Sequence, residues 1–181
     1  MTERKKLFTE IPYLKGERIV LRRITQADSG PLKKLADSET VNRYLPTFLF
    51  EKKYEDIHTV IDRMYTEGMQ GSIHLAVDWN GQFCGIAEFY GYKEKRHMVY
   101  VGNRLLEKYW GQGISSEVLS LMIEYLFGET DIEIIAASVM RGNKASENVL
   151  RKHGFTLTAS GIPEDWGYDE PVTEDRWILK K

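Results

Sequence analysis

A short glycine-containing segment in the second half of the chain could bind an anion. Residues 110–116 read Trp-Gly-Gln-Gly-Ile-Ser-Ser and lie between a strand-like run and a helix-like run. Two close glycines allow a tight turn, and the first peptide N–H groups of a helix have no partner within it. Such groups bind phosphate or pyrophosphate well. The P-loop lysine and the dinucleotide-binding glycine spacing are both missing, so a connector without a ligand is the alternative.

A second polar segment follows, and it predicts a short helix. Residues 143–146 read Asn-Lys-Ala-Ser, and residues 149–155 read Val-Leu-Arg-Lys-His-Gly-Phe. Asn143 is a typical N-cap, and Gly154 is typical of the position just after a helix ends. Ser146 then lies in the first turn of this helix.

Together these two segments resemble the GNAT superfamily of acyl-CoA-dependent N-acyltransferases, specifically its ribosomal-protein (Rim-like) N-acetyltransferase branch. The family's pyrophosphate motif, Arg/Gln-x-x-Gly-x-Gly/Ala, falls on residues 110–115, and the Asn-x-x-Ser helix ending in Lys-x-Gly-Phe is its second motif. Residues 14–22, Leu-Lys-Gly-Glu-Arg-Ile-Val-Leu-Arg, extend the resemblance to nearly the whole chain. The resemblance implies an acetyl-CoA-dependent N-acetyltransferase with a GNAT-like α/β fold.

The resemblance also implies which residues bind the cosubstrate, acetyl-CoA. Backbone groups of Leu105 and Leu106 would bind the pantetheine arm, the 111–116 turn would bind the pyrophosphate, and Asn143 would contact the pantetheine. The implied cofactor-binding residues are Leu105, Leu106, Trp110, Gly111, Gln112, Gly113, Ile114, Ser115, Ser116, Asn143 and Ser146. Acyl transfer needs a donor for the oxyanion, and the Leu105 amide is the candidate.

Acetyl transfer further requires a proton acceptor for the amine and a donor for the leaving thiolate. Many relatives have a Glu where this chain has Tyr100, and many have a Tyr where it has Leu150. In the Rim-like branch the serine of Asn-x-x-Ser is the usual acid, which implies Ser146, although an ordinary first-turn serine is equally consistent. Glu88 is the candidate base, because burial among apolar strand residues would raise its pKa. A solvated strand face is the alternative for Glu88.

The remaining reactive side chains are not assigned to catalysis. Cys84 lies between Phe83 and Gly85 in a predicted strand, so a small buried side chain is favoured over an acyl-accepting nucleophile. The four histidines show no ligand spacing, and no metal is predicted.

An acidic and aromatic segment precedes the last strand and bears on the choice of acceptor. Its members are Glu164, Asp165, Trp166, Tyr168, Asp169, Glu170, Glu174 and Asp175. They could form a mouth for a cationic amine such as a polyamine or an aminoglycoside, or simply a solvated loop. The branch resemblance implies instead the N-terminal α-amine of a protein. A catalytically silent CoA-sensing domain is a third possibility, favoured by the residues at 100 and 150.

Alternating and helical patterns predict the elements that hold these residues. In order, they are a strand over 18–23, two or three helices between 27 and 68, strands over 72–79, 82–92 and 98–105, a helix from 114, a strand over 132–139, a helix between 143 and 154, a strand from 155, a polar loop over 161–173 and a strand around 177–179. Asn80-Gly81 predicts a two-residue hairpin turn. This order predicts an α/β fold with a mixed, mostly antiparallel central sheet flanked by helices on both faces.

Length and charge limit the classes of function. The 181 residues suit one acyltransferase-like domain over 1–181, and the net charge of −2 disfavours a nucleic-acid partner. No apolar run approaches a membrane span, and the single cysteine fits a reducing compartment, so a cytoplasmic monomer or homodimer is expected.

Overall fold

The computed structural model describes residues 6–181, and its strands form one sheet of eight in the order β1-β2-β3-β4-β5-β6-β8-β7. The strands are β1 (Leu14–Lys15), β2 (Ile19–Arg22), β3 (Ser72–Trp79), β4 (Gln82–Lys93), β5 (Met98–Leu105), β6 (Ile134–Met140), β7 (Thr156–Glu164) and β8 (Val172–Lys180). The helices are α1 (Ser29–Asp37), α2 (Glu39–Asn42), α3 (Ile57–Met64), α4 (Ile114–Glu129) and α5 (Lys144–Lys152). Single 3-10 turns lie at 26–28, 50–52, 68–70, 94–96 and 107–109.

The sheet is antiparallel except where β5 meets β6. Strands β1 to β5 follow one another as antiparallel neighbours, and β6, β8 and β7 form a second antiparallel group. In the described sheet, β5–β6 is the one parallel pair, and α4 makes the crossover between its strands. The predicted mixed, mostly antiparallel sheet is therefore confirmed.

Helices cover both faces of the sheet, as predicted. Alternate strand residues point to opposite faces, so Leu75, Ala87 and Phe89 pack with α4 in one apolar cluster. Ala76 and Ile86 point the other way and pack against α1 and α3 in a second cluster. His74, Glu88 and Arg104 lie on the same face of the sheet as Ala76 and Ile86.

Turn and cap residues behave as the sequence predicts. Asn80 and Gly81 both have positive φ, at 52° and 76°, as a two-residue hairpin requires. The Asn143 side chain accepts a hydrogen bond from the N–H of Ser146, and Gly154 has a φ of 83° after α5 ends. The strand predicted over 98–105 has the observed bounds of β5.

The predicted polar loop over 161–173 is wrong at both ends. Strand β7 continues to Glu164 and β8 starts at Val172, which leaves residues 165–171 as the connection. The two strands pair through Ile162 and Glu174 and through Glu164 and Val172. Polar side chains in this hairpin are satisfied by ion pairs, so hydrophobic alternation does not reveal the strands.

Candidate active site

A wedge-shaped gap opens between β5 and β6. The two strands pair only from Met98 to Tyr100 and from Ile134 to Ala136. Beyond these pairs, β5 remains paired with β4 on one side, and β6 remains paired with β8 on the other. The backbone of β5 from Gly102 to Leu105 therefore faces the wedge without a neighbouring strand.

The register of β4 and β5 decides which backbone groups face the wedge. The Leu106 N–H donates to the Cys84 carbonyl at 2.9 Å. Hydrogen-bonded and non-bonded positions alternate along an antiparallel pair, so Val101, Asn103 and Leu105 direct their N–H and C=O groups away from β4. The Val101 N–H lies in the last parallel pair, opposite Ala136 of β6, so Asn103 and Leu105 are the residues whose N–H groups face the open wedge.

The two leucines at the strand end differ in what they can offer. The Leu106 N–H is taken by Cys84, and its carbonyl accepts from the Tyr109 N–H at 2.9 Å. Leu105 directs its N–H into the wedge, while its carbonyl accepts from the Trp110 Nε1 at 2.8 Å. The Leu106 N–H is therefore not free to donate to a ligand in the wedge, whereas the Leu105 N–H is directed into it.

The glycine turn lies at the wide end of the wedge. Gly111 and Gly113 have φ values of 69° and 76°, which favour glycine, and α4 begins at Ile114. The first bond of α4 runs from the Glu117 N–H to the Gly113 carbonyl at 3.1 Å. The N–H groups of residues 114–116 are therefore left without partners inside the helix, next to the backbone of β5.

Side chains from two other elements hold this turn in place. Arg18 donates from Nε to Glu117 at 2.8 Å and from Nη1 to the Gln112 carbonyl at 3.1 Å. Burial raises the pKa of Glu117, but hydrogen bonds from the Arg18 backbone and side chain outweigh it and lower that pKa. The Ser115 hydroxyl donates to the Asn103 side chain of β5 at 2.8 Å. The turn is thus fixed to β5 and to Arg18, the residue just before β2.

The first turn of α5 borders the same cleft from the other side. Asn143 and Ser146 are half-buried, and both line a cleft of about 1680 Å³ that also contains the glycine turn and the β5 strand end. Helices α4 and α5 are joined by the Ser120 hydroxyl and the His153 Nε2 at 3.0 Å. The structure therefore brings both sequence motifs to one cavity.

Glu88 lies on the floor of the cleft, between two partners. Its Oε2 is 3.2 Å from the His74 Nε2, and its Oε1 is 3.3 Å from the Arg104 Nη1. The side chain is 16% exposed, so the expected alternative of a solvated face is wrong. Burial raises the pKa of Glu88, but the charge of Arg104 and the hydrogen bond with His74 outweigh it and lower the pKa to about 2. The expected rise of this pKa is therefore wrong.

Arg104 connects Glu88 to a second buried carboxylate. Its Nε donates to Glu51 Oε1 at 2.8 Å, and both side chains are almost fully buried. Gly102, opposite Glu88, has no side chain, and a Cβ there would lie 3.4 Å from Glu88 Oε1. The absence of a side chain at Gly102 leaves space between the carboxylate and the backbone of β5.

Several of the predicted acidic residues are not free to bind a cation. Arg176 donates to Glu174 at 2.7 Å and to Glu164 at 2.6 Å. Asp175 accepts from the Ser160 hydroxyl at 2.7 Å and pairs with Arg141. The exposed acids of the connection are Asp165, Asp169 and Glu170. Three of the six acids of this segment are therefore paired with arginines, and the three in the connection are exposed, as in the alternative of a solvated loop.

The β7–β8 connection instead contacts the segment after α2, and we call this contact the bridge (residues 45–47 and 166–168). The Thr47 N–H donates to the Trp166 carbonyl at 2.8 Å, and the Tyr168 hydroxyl donates to the Leu45 carbonyl at 2.6 Å. Leu45 and Trp166 also line the cleft. The bridge thus joins the β7–β8 connection to the segment after α2 at the margin of the cleft.

Cys84 is buried in the core, and burial raises the pKa of its thiol to about 11. A thiol of this kind is a poor nucleophile, which agrees with the predicted structural role.

Among residues 6–181, no group of three or more His, Cys, Asp or Glu side chains is arranged to bind a metal ion. In the same range, no helix has the length and apolar character needed to span a membrane.

Sequence reasoning missed His74, Arg104 and Glu51, as well as the backbone of Val101 and Asn103. Glu51 and Arg104 are 53 positions apart, so no local spacing connects them. A polar residue within an otherwise apolar strand can indicate a functional position. His74 and Arg104 are both polar residues within predicted strands.

Comparison with known proteins agrees with this geometry. The sequence model of the family described as "Acetyltransferase (GNAT) domain" matches residues 18–156. The uncharacterized N-acetyltransferase YoaA of Bacillus subtilis is 25% identical over 150 residues, which are 80% of this chain and 82% of YoaA.

Two solved structures illustrate the similarity of fold. RimJ of Mycobacterium smegmatis, in complex with CoA-disulfide, has a TM-score of 0.81 at 16% identity over 94% of this chain and 88% of its own. An acetyl transferase of Salmonella typhimurium, which modifies the N-terminal serine of ribosomal protein L7/L12, has a TM-score of 0.78 at 16% identity over 94% of this chain and 99% of its own.

Proposed function

Since this chain belongs to the GNAT acetyltransferase family, we propose that it transfers the acetyl group of acetyl-CoA to a primary amine by direct attack in a ternary complex. The observation that carries the proposal is the wedge between β5 and β6, which leads directly to the glycine turn at the start of α4. An extended arm with a pyrophosphate at one end matches a free strand backbone followed by unpartnered helix N–H groups.

The residues present fit the cosubstrate. Acetyl-CoA supplies the acetyl group as a thioester. The N–H groups of residues 114–116 would bind its pyrophosphate, with Trp110, Gly111, Gln112 and Gly113 shaping the turn. Leu105 would bond the pantetheine arm along the wedge, and Asn143 would contact it from α5. Asn103 and the carbonyl of Val101 join this set because they have the same orientation as the backbone groups of Leu105.

Catalysis would rest on positioning and on three groups of the chain. A backbone N–H in the wedge, with Leu105 as the first candidate, would stabilise the oxyanion that forms on the acetyl carbonyl. Ser146 would donate a proton to the departing thiolate. Glu88 would contact the amine, since its partly exposed carboxylate lies beside the open space at Gly102.

We favour the N-terminal α-amine of a protein as the acceptor. An α-amine has a pKa of about 8 and is partly neutral at pH 7, whereas a lysine amine has a pKa of about 10.4. Similarity to an enzyme that modifies an N-terminal serine supports the same choice. A polyamine or aminoglycoside acceptor is the second candidate, and the exposed Asp169 and Glu170 near the bridge are the observation in its favour.

The single buried cysteine is consistent with a cytoplasmic location.

The test has two steps that separate enzyme from sensor. Titration calorimetry with acetyl-CoA should give a saturable heat, and the absence of binding at millimolar ligand would refute the cosubstrate. Thiol release should then be followed across peptides with free N-termini, polyamines and aminoglycosides, with N-terminally blocked peptides as controls. Release with free but not blocked peptides supports the α-amine acceptor, and tight binding without release from any amine would favour a silent CoA-sensing domain.

A further inference from the structure

Four carboxylates line the cleft, and each has a basic partner. They are Glu67, Glu88, Glu164 and Glu174. Each has an oxygen within 3.3 Å of a lysine or arginine nitrogen, and the partners are Lys53, Arg104 and Arg176. The exposed acids of the β7–β8 connection, Asp165, Asp169 and Glu170, do not line the cleft. Within residues 6–181, no carboxylate of the cleft wall is therefore left without a basic partner.

Four cations of the same cleft have no carboxylate partner among residues 6–181. They are Arg43, Lys52, Lys93 and Arg96; all four are exposed, and we call them the rim cations. Two come from the segment between α2 and α3, and two from the end of β4 and the turn after it. Glu94, the acid of that turn, does not line the cleft and pairs with Lys6 at 3.6 Å. The mouth of the cleft therefore presents uncompensated positive charge.

The floor of the cleft has the opposite charge. Arg104 lies between Glu51 and Glu88, at 2.8 Å and 3.3 Å, so two carboxylates share one guanidinium. Arg176 likewise lies between two carboxylates. With a neutral imidazole at His74, each group carries one excess negative charge. The floor thus attracts an ammonium group, whereas the rim cations attract carboxylates.

The distance between floor and rim sets the length of a ligand that could reach both. Five residues of β4 separate Glu88 from Lys93, which is about 16 Å at roughly 3.3 Å per residue. Tyr90 and Tyr100 lie between them on neighbouring strands, with ring centroids 5.5 Å apart, and both line the cleft. An extended peptide has the same rise per residue. A peptide whose first nitrogen lies at Glu88 and whose chain follows this floor would therefore bring its fourth to sixth residues to the rim.

We propose that the acceptor is a protein N-terminus with acidic side chains at about its fourth to sixth residues, which pair with the rim cations. This inference rests on the proposed acetyl transfer and names the class of acceptor. Glu88 contacts the α-amine, and the rim cations select the residues that follow it. A polyamine or an aminoglycoside would be repelled at the mouth, because like charges across an interface disfavour association.

The experiment compares three peptides that share their first three residues and a free N-terminus. Residues four to six are all glutamate, all glutamine or all lysine, so size and polarity change little while charge changes. Thiol release gives kcat and KM at about 20 mM and about 500 mM salt. An N-terminally blocked copy of the lysine peptide corrects for release by side-chain amines.

At low salt we expect the glutamate peptide to exceed the glutamine peptide about tenfold in kcat/KM, which several exposed ion pairs can supply together. The lysine peptide should be the poorest of the three. The difference should lie mainly in KM, because the rim cations contact residues remote from the reacting amine. At high salt it should fall below about twofold, since exposed charges are then screened.

Two double variants remove the rim cations in pairs. They are Lys93→Gln/Arg96→Gln and Arg43→Gln/Lys52→Gln, and each should reduce the preference for glutamate about threefold. The Lys93→Glu/Arg96→Glu variant should raise kcat/KM for the lysine peptide about threefold or more, because it reverses the charge at the mouth. The Kd of acetyl-CoA should stay unchanged in all three.

The matched control is Lys34→Gln/Lys95→Gln. Both lysines are exposed and neither lines the cleft, so the control removes the same net charge from elsewhere on the surface. It should keep the full preference for the glutamate peptide at low salt. A preference that came only from the net charge of the protein would fall equally in the control and in the rim variants.

The outcomes separate this inference from the proposed function. Equal kcat/KM for the glutamate and glutamine peptides at low salt overturns the role of the rim cations while the transferase activity stands. An equal fall in the control variant, or a polyamine as the preferred acceptor, overturns it in the same way. A wild-type protein that binds acetyl-CoA but acetylates no amine overturns the proposed function and this inference with it.

Discussion

A Cβ atom at Gly85 would lie 2.1 Å from the carbonyl oxygen of Arg104, so β4 and β5 approach each other here without room for any side chain. Gly85 lies opposite Leu105, the last residue of β5 and the residue that directs its N–H into the wedge. The close approach at Gly85 therefore helps to fix the position of the strand end on which the proposed cosubstrate site depends.

Gly85→Ala should destabilise the protein, because the methyl group would contact backbone atoms that cannot rotate away. The expected loss is about 1–3 kcal/mol of unfolding free energy, as for other overpacked interiors. Chemical denaturation measures it. Gly128→Ala in α4 is the control, since nothing lies within 4 Å of its added Cβ, and it should stabilise the protein by about 0.5–1 kcal/mol. Equal stability of the two variants would contradict the prediction.

Gly113→Asp should abolish detectable acetyl-CoA binding, because it places a negative charge in the turn that is proposed to bind a pyrophosphate. Gly113→Asn is the matched neutral variant, and Asn accepts the positive φ of 76° at this position. We expect the Asn variant to weaken binding by less than tenfold in calorimetry. Equal affinities for the two variants would show that charge at this position does not act on the ligand.

Stability should fall on acidification as Glu88 becomes protonated. Its pKa is lowered from 4.5 to about 2, because Arg104 and His74 outweigh the effect of burial. A lowered pKa contributes stability above pH 4.5 that is lost as pH falls towards 2, and the difference corresponds to roughly 3 kcal/mol. Urea unfolding between pH 6 and pH 2 measures it. Glu88→Gln should show a smaller slope over this range, and an unchanged slope would contradict the assignment.

Gly167→Ala should loosen the bridge, since a Cβ there would lie 1.9 Å from the Thr47 hydroxyl. We expect the ratio of kcat/KM for a folded protein acceptor to that for a short peptide to rise severalfold, because the bridge borders the cleft. The Kd of acetyl-CoA should not change. Gly81→Ala is the control, with a similar φ of 76° and no contact within 4 Å, and an identical ratio in both variants would argue against the bridge as a limit on acceptor size.

The sequence predicts an element of this fold well where the residue type restricts the backbone conformation or where apolar residues recur with the period of the element. Asn80 and Gly81 indicate their hairpin because few residues accept positive φ, and the apolar run after Gly113 indicates α4 because its burial is periodic. The β7–β8 hairpin was predicted too short because Glu164 and Glu174 look like loop residues. Their pairing with Arg176 is a tertiary contact that local pattern does not contain.

The same distinction applies to the site. The glycine turn and the Asn143 helix are contiguous motifs, so they could be read from the chain. The environment of Glu88 could not, because its pKa depends on His74 and Arg104, which reach it from neighbouring strands. Burial alone predicts a raised pKa, and only the positions of these partners reverse the direction. The bonding of Leu106 likewise follows from strand register rather than from residue type.

The gap between β5 and β6 gives β5 an unpaired edge, although β5 lies in the middle of the sheet. Exposed strand edges pair with extended segments of other molecules and promote aggregation. Here the first turns of α4 and α5 and the bridge all border the gap, and three residue pairs close its narrow end. These elements restrict the access of another polypeptide strand to the exposed edge. The gap proposed for the cosubstrate is therefore also a strand edge whose surroundings limit self-association.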